Sequence, residues 1–132
     1  EACLLNSKSK SLEYWRDMGY NVVGNNTWDC LKYYPINYDI IVSNPPFETK
    51  IKTKILKHLY KLDKPFILIS FPKCFLTKKF QNLFKEHLQL IIPNTRPTFT
   101  HLTNPKEGYT PPFGIWYFCY KMNLPKDIIW LD

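Results

Sequence analysis

The sequence predicts an α/β fold, an open sheet flanked by helices and ending in an antiparallel edge hairpin. Two short apolar runs, Asp39–Ser43 and Phe66–Ser70, suit strands that are buried on both faces, as in parallel sheets. Amphipathic helical patterns alternate with these runs, which is the order of strand–helix–strand units. The chain has 132 residues, of which 45% are hydrophobic and 22% charged, so it is long enough to bury a core of its own.

The first predicted helix spans Lys8–Met18, and Gly19 occupies the position that often follows a helix end. A short β-branched strand is predicted at Tyr20–Gly24. The run Asp39–Ser43 is the next strand, and it stops at two prolines, which lack the N–H needed to continue a strand ladder. These elements begin the alternation of helices and strands.

The longest predicted helix spans Glu48–Asp63 and has an apolar side and a basic side. The apolar side holds Ile51, Ile55, Leu59 and Leu62, and the basic side holds Lys50, Lys54, Lys57 and Lys61. The strand Phe66–Ser70 follows it. A helix at Lys78–Leu88 and a short strand at Leu90–Ile92 continue the alternating order.

The last third of the chain changes in character. Strands are predicted at Thr98–Leu102, Gly114–Lys121 and Ile128–Leu131, and their short spacing favours antiparallel pairing at the edge of the sheet. No internal repeat or low-complexity linker interrupts the sequence. We therefore interpret residues 1–132 as one domain.

Composition excludes several classes of site. The only glycines are Gly19, Gly24, Gly108 and Gly114, so the chain has no intact glycine-rich phosphate loop. Its four cysteines form no C-x-x-C pair and its three histidines have no ligand spacing, so no metal site is predicted. No apolar run reaches the ~18 residues of a membrane span, and no signal peptide is apparent. We expect an intracellular protein that is not secreted.

The best-placed loop for chemistry is Ser43–Phe47, directly after a predicted buried strand. Ligands of open α/β sheets collect outside the carboxyl ends of the strands. The two prolines fix their own φ angles and keep Asn44 out of the helical region, so the loop is stiff before a ligand arrives. The alternative for a proline-rich loop is a simple turn. A second such run, Pro111–Phe113, has no apolar strand before it and is expected only to lead into the edge hairpin.

The groups of this loop suit reaction at the exocyclic amine of adenine. That amine is a poor nucleophile because its lone pair is delocalised into the ring. If Asn44 Oδ1 and the Pro45 carbonyl accept its two N–H bonds, the nitrogen can become tetrahedral and direct its lone pair at a methyl donor. Phe47 would stack on the base, which must be flipped out of a duplex or come from a single strand.

The segment YDIIVSNPPF, which ends at Phe47, resembles motif IV of the adenine-N6 (amino) methyltransferases. The similarity continues through DKPFILIS, LQLIIPNTRPTF and PPFGIWYFCYKMNLPKDIIWL, and so covers most of the chain. The whole pattern looks like the compact adenine-specific methyltransferase-like proteins of large DNA viruses and phages. The resemblance implies a Rossmann-like methyltransferase sheet, S-adenosylmethionine as methyl donor and adenine in DNA as substrate. If the protein is viral, it implies the cytoplasm or nucleus of a host cell.

The resemblance also implies roles for individual residues. Asn44, Pro45, Pro46 and Phe47 would form the catalytic motif. Residues on the donor side would be Glu1, Ser9, Asn26, Asp29 and Ser43. Asp29 is equally well explained as a loop or helix-cap residue.

The donor-binding segment departs from the family pattern. The family reads approximately E-P-x-x-G-x-G-x-S after the first strand, whereas this chain has EACLLNSKS at Glu1–Ser9, without the proline and both glycines. Side chains there would obstruct the close backbone approach that glycine permits. Asn26 stands where the family usually has an acid. We expect the sheet to lack its N-terminal part, to be completed by a missing segment or a partner subunit, unless Ala2–Leu5 supplies a shortened strand.

The net charge of +7 favours a nucleic-acid partner, DNA above all. Candidate phosphate contacts are Lys50, Lys54, Lys73, Lys78, Lys79 and Arg96. A lysine-rich helix face is also commonly nothing more than a solvated surface. Three functions remain open: an adenine-N6 methyltransferase, a catalytically inert relative that binds nucleic acid or a partner subunit, and a structural protein that reuses the scaffold.

Overall fold

The computed structural model describes residues 11–22, 38–45, 48–100 and 108–132. They form an α/β arrangement of three α-helices, one 3₁₀ helix and seven strands. The helices are α1 (Ser11–Asp17), α2 (Thr49–Leu62), the 3₁₀ helix (Pro72–Cys74) and α3 (Lys78–Phe84). The strands are β1 (Ile41–Ser43), β2 (Phe66–Ser70), β3 (Leu88–Pro93), β4 (Phe99–Thr100), β5 (Gly108–Tyr109), β6 (Trp116–Tyr120) and β7 (Ile128–Leu131).

Five strands form one mixed sheet in the order β1-β2-β6-β3-β7. β1 pairs in parallel with β2, and β3 pairs in parallel with β7. β6 lies between β2 and β3 and runs antiparallel to both. Four strands therefore point the same way, and one interior strand opposes them.

The predicted α/β class is confirmed, but the predicted antiparallel edge hairpin is wrong. The antiparallel strand β6 is interior, and the strand at that edge of the sheet, β7, is parallel to its neighbour. β4 and β5 form a separate two-stranded sheet. The place of WYFCY depends on its long-range pairing with β2 and β3, which its local sequence does not specify. Phe118, Cys119 and Tyr120 are all buried, and because successive side chains point to opposite faces, both faces of β6 are covered there.

Helices α2 and α3 cover one face of this sheet. Ile55 and Leu59 of α2 join Phe80 and Phe84 of α3 in the same buried cluster. Phe66 lies at its centre, fully buried, and its ring contacts those of Phe84 and Tyr120 at centroid distances of 5.3 and 5.1 Å. Aromatic rings therefore fix how the helices sit on the strands. The sheet side chains in the cluster are Ile41, Phe66, Leu68, Leu90, Ile92, Phe118 and Tyr120.

The helix ends follow the sequence closely. Gly19 has a φ of +87° and its N–H bonds the Arg16 carbonyl, which ends α1 as predicted. Asp63 ends α2 in the left-handed region, with a φ of 50°. Its carboxylate accepts a hydrogen bond from Lys121 Nζ at 2.6 Å. This hydrogen bond holds the pKa of Lys121 above 10.5 and connects the end of α2 to the end of β6.

Two other predictions need correction. α3 ends at Phe84, not at Leu88, and Leu88 begins β3. Tyr20–Val22, the described part of the predicted strand Tyr20–Gly24, is not a strand, and its last two residues lie outside the described part of the chain. β2 and β7 have the predicted bounds.

Replacing the central aromatic residue should cost the most stability. Phe66→Ala removes a fully buried ring and leaves a cavity, so we expect the free energy of unfolding to fall by about 3–5 kcal/mol in urea denaturation. Phe66→Leu should cost less, which keeps the comparison measurable if the alanine variant does not fold. Leu76→Ala, at a residue 74% exposed, is the control and should stay within about 0.5 kcal/mol. An equal loss of unfolding free energy in Phe66→Ala and Leu76→Ala would contradict the central place of Phe66 in the core.

Cys119 should make the fold sensitive to alkaline pH. Burial raises the pKa of its thiol from 9.0 to about 11, so the unfolded chain loses this proton at lower pH than the folded chain does. The contribution to stability is complete below pH 9 and is lost as pH rises to about 11. Between pH 9 and 11 the free energy of unfolding should fall by about 2 kcal/mol less in Cys119→Ala than in the unaltered protein. Urea denaturation at each pH measures this difference. Parallel pH profiles for the two proteins would contradict this role.

Candidate functional site at the carboxyl ends of the strands

Asn44 and Pro45 lie at the carboxyl end of β1. The parallel register pairs Ser43 of β1 with Leu68 of β2, so the ends of these two strands meet at one edge of the sheet. Asn44 is exposed, whereas Pro45 is buried. Within the described part of the chain, the Asn44 amide has no hydrogen-bond partner. A fixed proline therefore supports an amide that is open to a ligand.

The direction of β6 brings a second loop to the same edge. Trp116, the first residue of β6, pairs with Ser70, the last residue of β2. The residues that precede Trp116 therefore reach the edge where β2 ends. Phe113 contacts Phe71 edge to face there, with 4.3 Å between ring centroids. The expectation that Pro111–Phe113 leads into an edge hairpin is thus wrong, because the strand that follows this run, β6, is interior to the sheet.

Arg96 has a structural contact at this edge. Its Nη1 donates a hydrogen bond to the carbonyl of the buried Pro111 at 3.2 Å. The hydroxyls of Thr98 and Thr110 bond each other at 2.8 Å beside it. Arg96 therefore connects the chain after β3 to the loop before β6. Its predicted contact with a phosphate or a base edge stays a prediction.

A cavity of about 340 Å³ lies between α2 and α3, beside the 3₁₀ helix. Lys52, Lys73 and Lys79 line it together with three threonines, and none of the described residues that line it is acidic. Leu56, Phe80 and Leu83 supply apolar surface. Lys52 Nζ lies 5.4 Å from the centroid of the Phe71 ring, a cation–π distance. The cavity thus combines positive charge, hydroxyls and an apolar wall.

The sequence contained a signal for the α2 wall of this cavity. Thr49, Lys52, Thr53 and Leu56 have the spacing i, i+3, i+4, i+7 and so share one helix face. The predicted phosphate contacts Lys50 and Lys54 are exposed on α2 and do not line the cavity. Lys73 and Lys79 were predicted and line it, whereas Lys78 is exposed on α3 outside it. Lys52 and Phe71 were missed.

Much of the predicted donor side cannot be placed. Glu1, Ser9, Asn26 and Asp29 lie outside the described residues, as do Pro46 and Phe47 of the catalytic motif and the short strand Ala2–Leu5. Ser43 is described and is buried at the end of β1, with 6% of its surface exposed. Its predicted contact with the donor therefore stays a prediction.

Other classes of feature are missing from the described ranges. Residues 11–22, 38–45, 48–100 and 108–132 contain no group of three acidic, histidine or cysteine side chains placed to hold a metal ion. None of the helices in these ranges has the length and apolar character needed to cross a membrane. The cysteines that are described, Cys74 and Cys119, are both buried free thiols.

Comparison with protein-family models, with curated proteins and with solved structures found no match to this chain. Its function must therefore be argued from the motif after β1 and from the geometry of the carboxyl edge. That edge carries the exposed amide of Asn44, the buried Pro45 and the paired rings of Phe71 and Phe113, with a basic cavity beside them.

Removing Arg96 should destabilise the fold. Arg96→Ala leaves the Pro111 carbonyl without the guanidinium donor, so we expect the free energy of unfolding to fall by about 1 kcal/mol in urea denaturation. Thr95→Ala, at the exposed neighbouring residue, is the matched control and should have little effect. Unchanged stability of Arg96→Ala would show that this hydrogen bond does not hold the loop.

Proposed function

We propose that the protein is an S-adenosylmethionine-dependent methyltransferase that acts on the exocyclic amine of adenine in DNA. One observation carries the proposal: the residues of the NPPF motif that are described, Asn44 and Pro45, follow a parallel strand at the carboxyl edge of the sheet. This edge is where open α/β sheets bind their ligands. The resemblance of YDIIVSNPPF to motif IV supplies the reaction class.

The chemistry depends on two hydrogen-bond acceptors. Asn44 Oδ1 accepts one N–H of the adenine amine and the Pro45 carbonyl accepts the other, which favours a tetrahedral nitrogen with a localised lone pair. The donor supplies an electrophilic methyl group on a sulfonium sulfur. With the donor bound, the lone pair held by Asn44 and Pro45 would form the new C–N bond as the C–S bond breaks, and the amine proton would pass to solvent. Most of the rate would come from positioning and from acceptors fixed in advance by the proline.

The charge of the molecule supports DNA as the substrate. The net charge is +7, and Lys50, Lys54 and Lys78 are exposed on helices that begin near the carboxyl edge. Such charges attract a phosphate backbone over a long range and make binding sensitive to salt. Phe47 would stack on the adenine after it leaves its duplex, or on a base that is already single-stranded.

A catalytically inert relative is the second candidate, and one observation favours it. The segment Glu1–Ser9 lacks the glycines that let a backbone approach a donor closely, and Asn26 replaces an acid. Such a protein would keep DNA or partner binding without methyl transfer. The same experiment distinguishes the two candidates.

Asn44→Ala should abolish methyl transfer. Removing one preorganised acceptor should lower kcat by about 100-fold or more, measured as transfer of a radiolabelled methyl group to an adenine-containing oligonucleotide. Calorimetric titration of the donor should give the same affinity for both proteins, because Asn44 acts on the amine. Asn82→Ala, at an exposed asparagine of α3, is the matched control and should retain full activity.

Two results would contradict the methyltransferase. The first is the absence of donor binding even by a protein that extends upstream of Glu1. The second is equal transfer by the Asn44→Ala variant and the unaltered protein. DNA binding that weakens with salt but occurs without donor binding would support the inert relative instead.

A further inference from the structure

We propose that the cavity between α2 and α3 binds one nucleotide unit of a single-stranded nucleic acid, with its phosphate on the lysines and its base or sugar against the apolar wall. The inference deepens the proposed function and rests on it for the nucleic-acid partner. It adds a second contact, beside the one at Asn44, that holds the strand.

The composition of the cavity points to a phosphorylated ligand. Lys52, Lys73 and Lys79 come from three different elements, α2, the 3₁₀ helix and α3, yet they line one space. No described residue of its lining is acidic, so these charges are not neutralised within the cavity. The hydroxyls of Thr49 and Thr53 on the α2 wall can donate to phosphate oxygens, whereas the Thr77 hydroxyl donates to the Cys74 carbonyl. An anion is the ligand that complements this charge.

The apolar part of the cavity indicates more than a bare phosphate. Leu56, Phe80 and Leu83 line the space, and a free inorganic anion would gain nothing from them. A volume of about 340 Å³ is within the range of small-molecule sites. A nucleotide has both an anionic group and a flat apolar surface, so it satisfies both parts of the lining.

Connectivity places this cavity next to the candidate site. α2 begins at Thr49, five residues after Asn44, and Thr49 lines the cavity. Phe71 lines it from the first position after β2, the neighbour of β1. A strand that presents one base at Asn44 therefore passes close to the cavity. This argues for a nucleotide of the same strand as the occupant.

The test is fluorescence anisotropy with a fluorescein-labelled single-stranded 12-mer, without methyl donor, at several salt concentrations. We expect Lys52→Gln and Lys79→Gln each to weaken binding several-fold. Each should also lower the slope of log Kd against log salt by up to about 0.7, the value for the one phosphate that the lysines share. The matched control is Lys57→Gln, which removes an exposed lysine of the same helix outside the cavity and should leave affinity and slope close to those of the unaltered protein.

A second variant separates the cavity from general charge attraction. Thr53→Trp fills the space and keeps every lysine, so it should weaken binding of the 12-mer as much as the lysine variants do. Thermal unfolding checks that this variant folds. The proposal would be overturned if Lys57→Gln lost as much affinity for the 12-mer as the cavity-lysine variants, or if Thr53→Trp kept full affinity. A result in which adenosine monophosphate binds to the cavity while the cavity variants leave 12-mer binding unchanged would also overturn it.

The failure of this inference can be told apart from failure of the proposed function. The anisotropy experiment contains no donor and needs no methyl transfer. If Asn44→Ala abolishes transfer while the cavity variants bind the 12-mer normally, only the cavity inference fails. If the cavity variants lose affinity while no transfer is detected, the inference holds and the methyltransferase fails.

Discussion

The structure depends on the two-sided pairing of β6. This strand pairs with β2 and β3 at once, so that Phe66 and Leu88 both lie opposite Tyr120. Without it the strands on its two sides, β1 with β2 and β3 with β7, would form separate ladders. Its buried aromatic side chains also pack under α3, where the ring centroids of Phe80 and Phe118 are 5.6 Å apart. The continuity of the sheet and the packing of α3 on it thus both depend on β6.

The reversed direction of β6 also assembles the candidate site. A parallel strand in this place would begin at the opposite edge of the sheet, far from Asn44. Because β6 is antiparallel, the loop before it reaches the carboxyl edge, where Phe113 meets Phe71. Arg96 then ties this loop to the segment after β3. The direction of β6, which serves the core, therefore also brings the contact between Phe113 and Phe71 to the edge where the proposed site lies.

Local patterns predicted most of the elements, whereas their order in the sheet needed long-range contacts. The spacing of Ile51, Ile55 and Leu59 predicted which face of α2 is buried. The length and apolar composition of FILIS predicted β2. The interior place of β6 could not be read in this way, because an apolar strand is compatible with several neighbours. At the site, NPPF was visible in the sequence. The cavity was not, since its walls come from three elements.

Prolines, which outnumber glycines in this chain, stand in the loops at the carboxyl edge. Pro45 follows β1, Pro72 follows β2 and Pro93 ends β3, while the loop that enters β6 contains Pro111. Proline restricts the unfolded chain and fixes φ, so these loops lose less conformational entropy when they order. The methyl transfer that we propose works by positioning and would gain from such stiffness. With 11 prolines and 4 glycines, the chain has a composition that favours stiff loops.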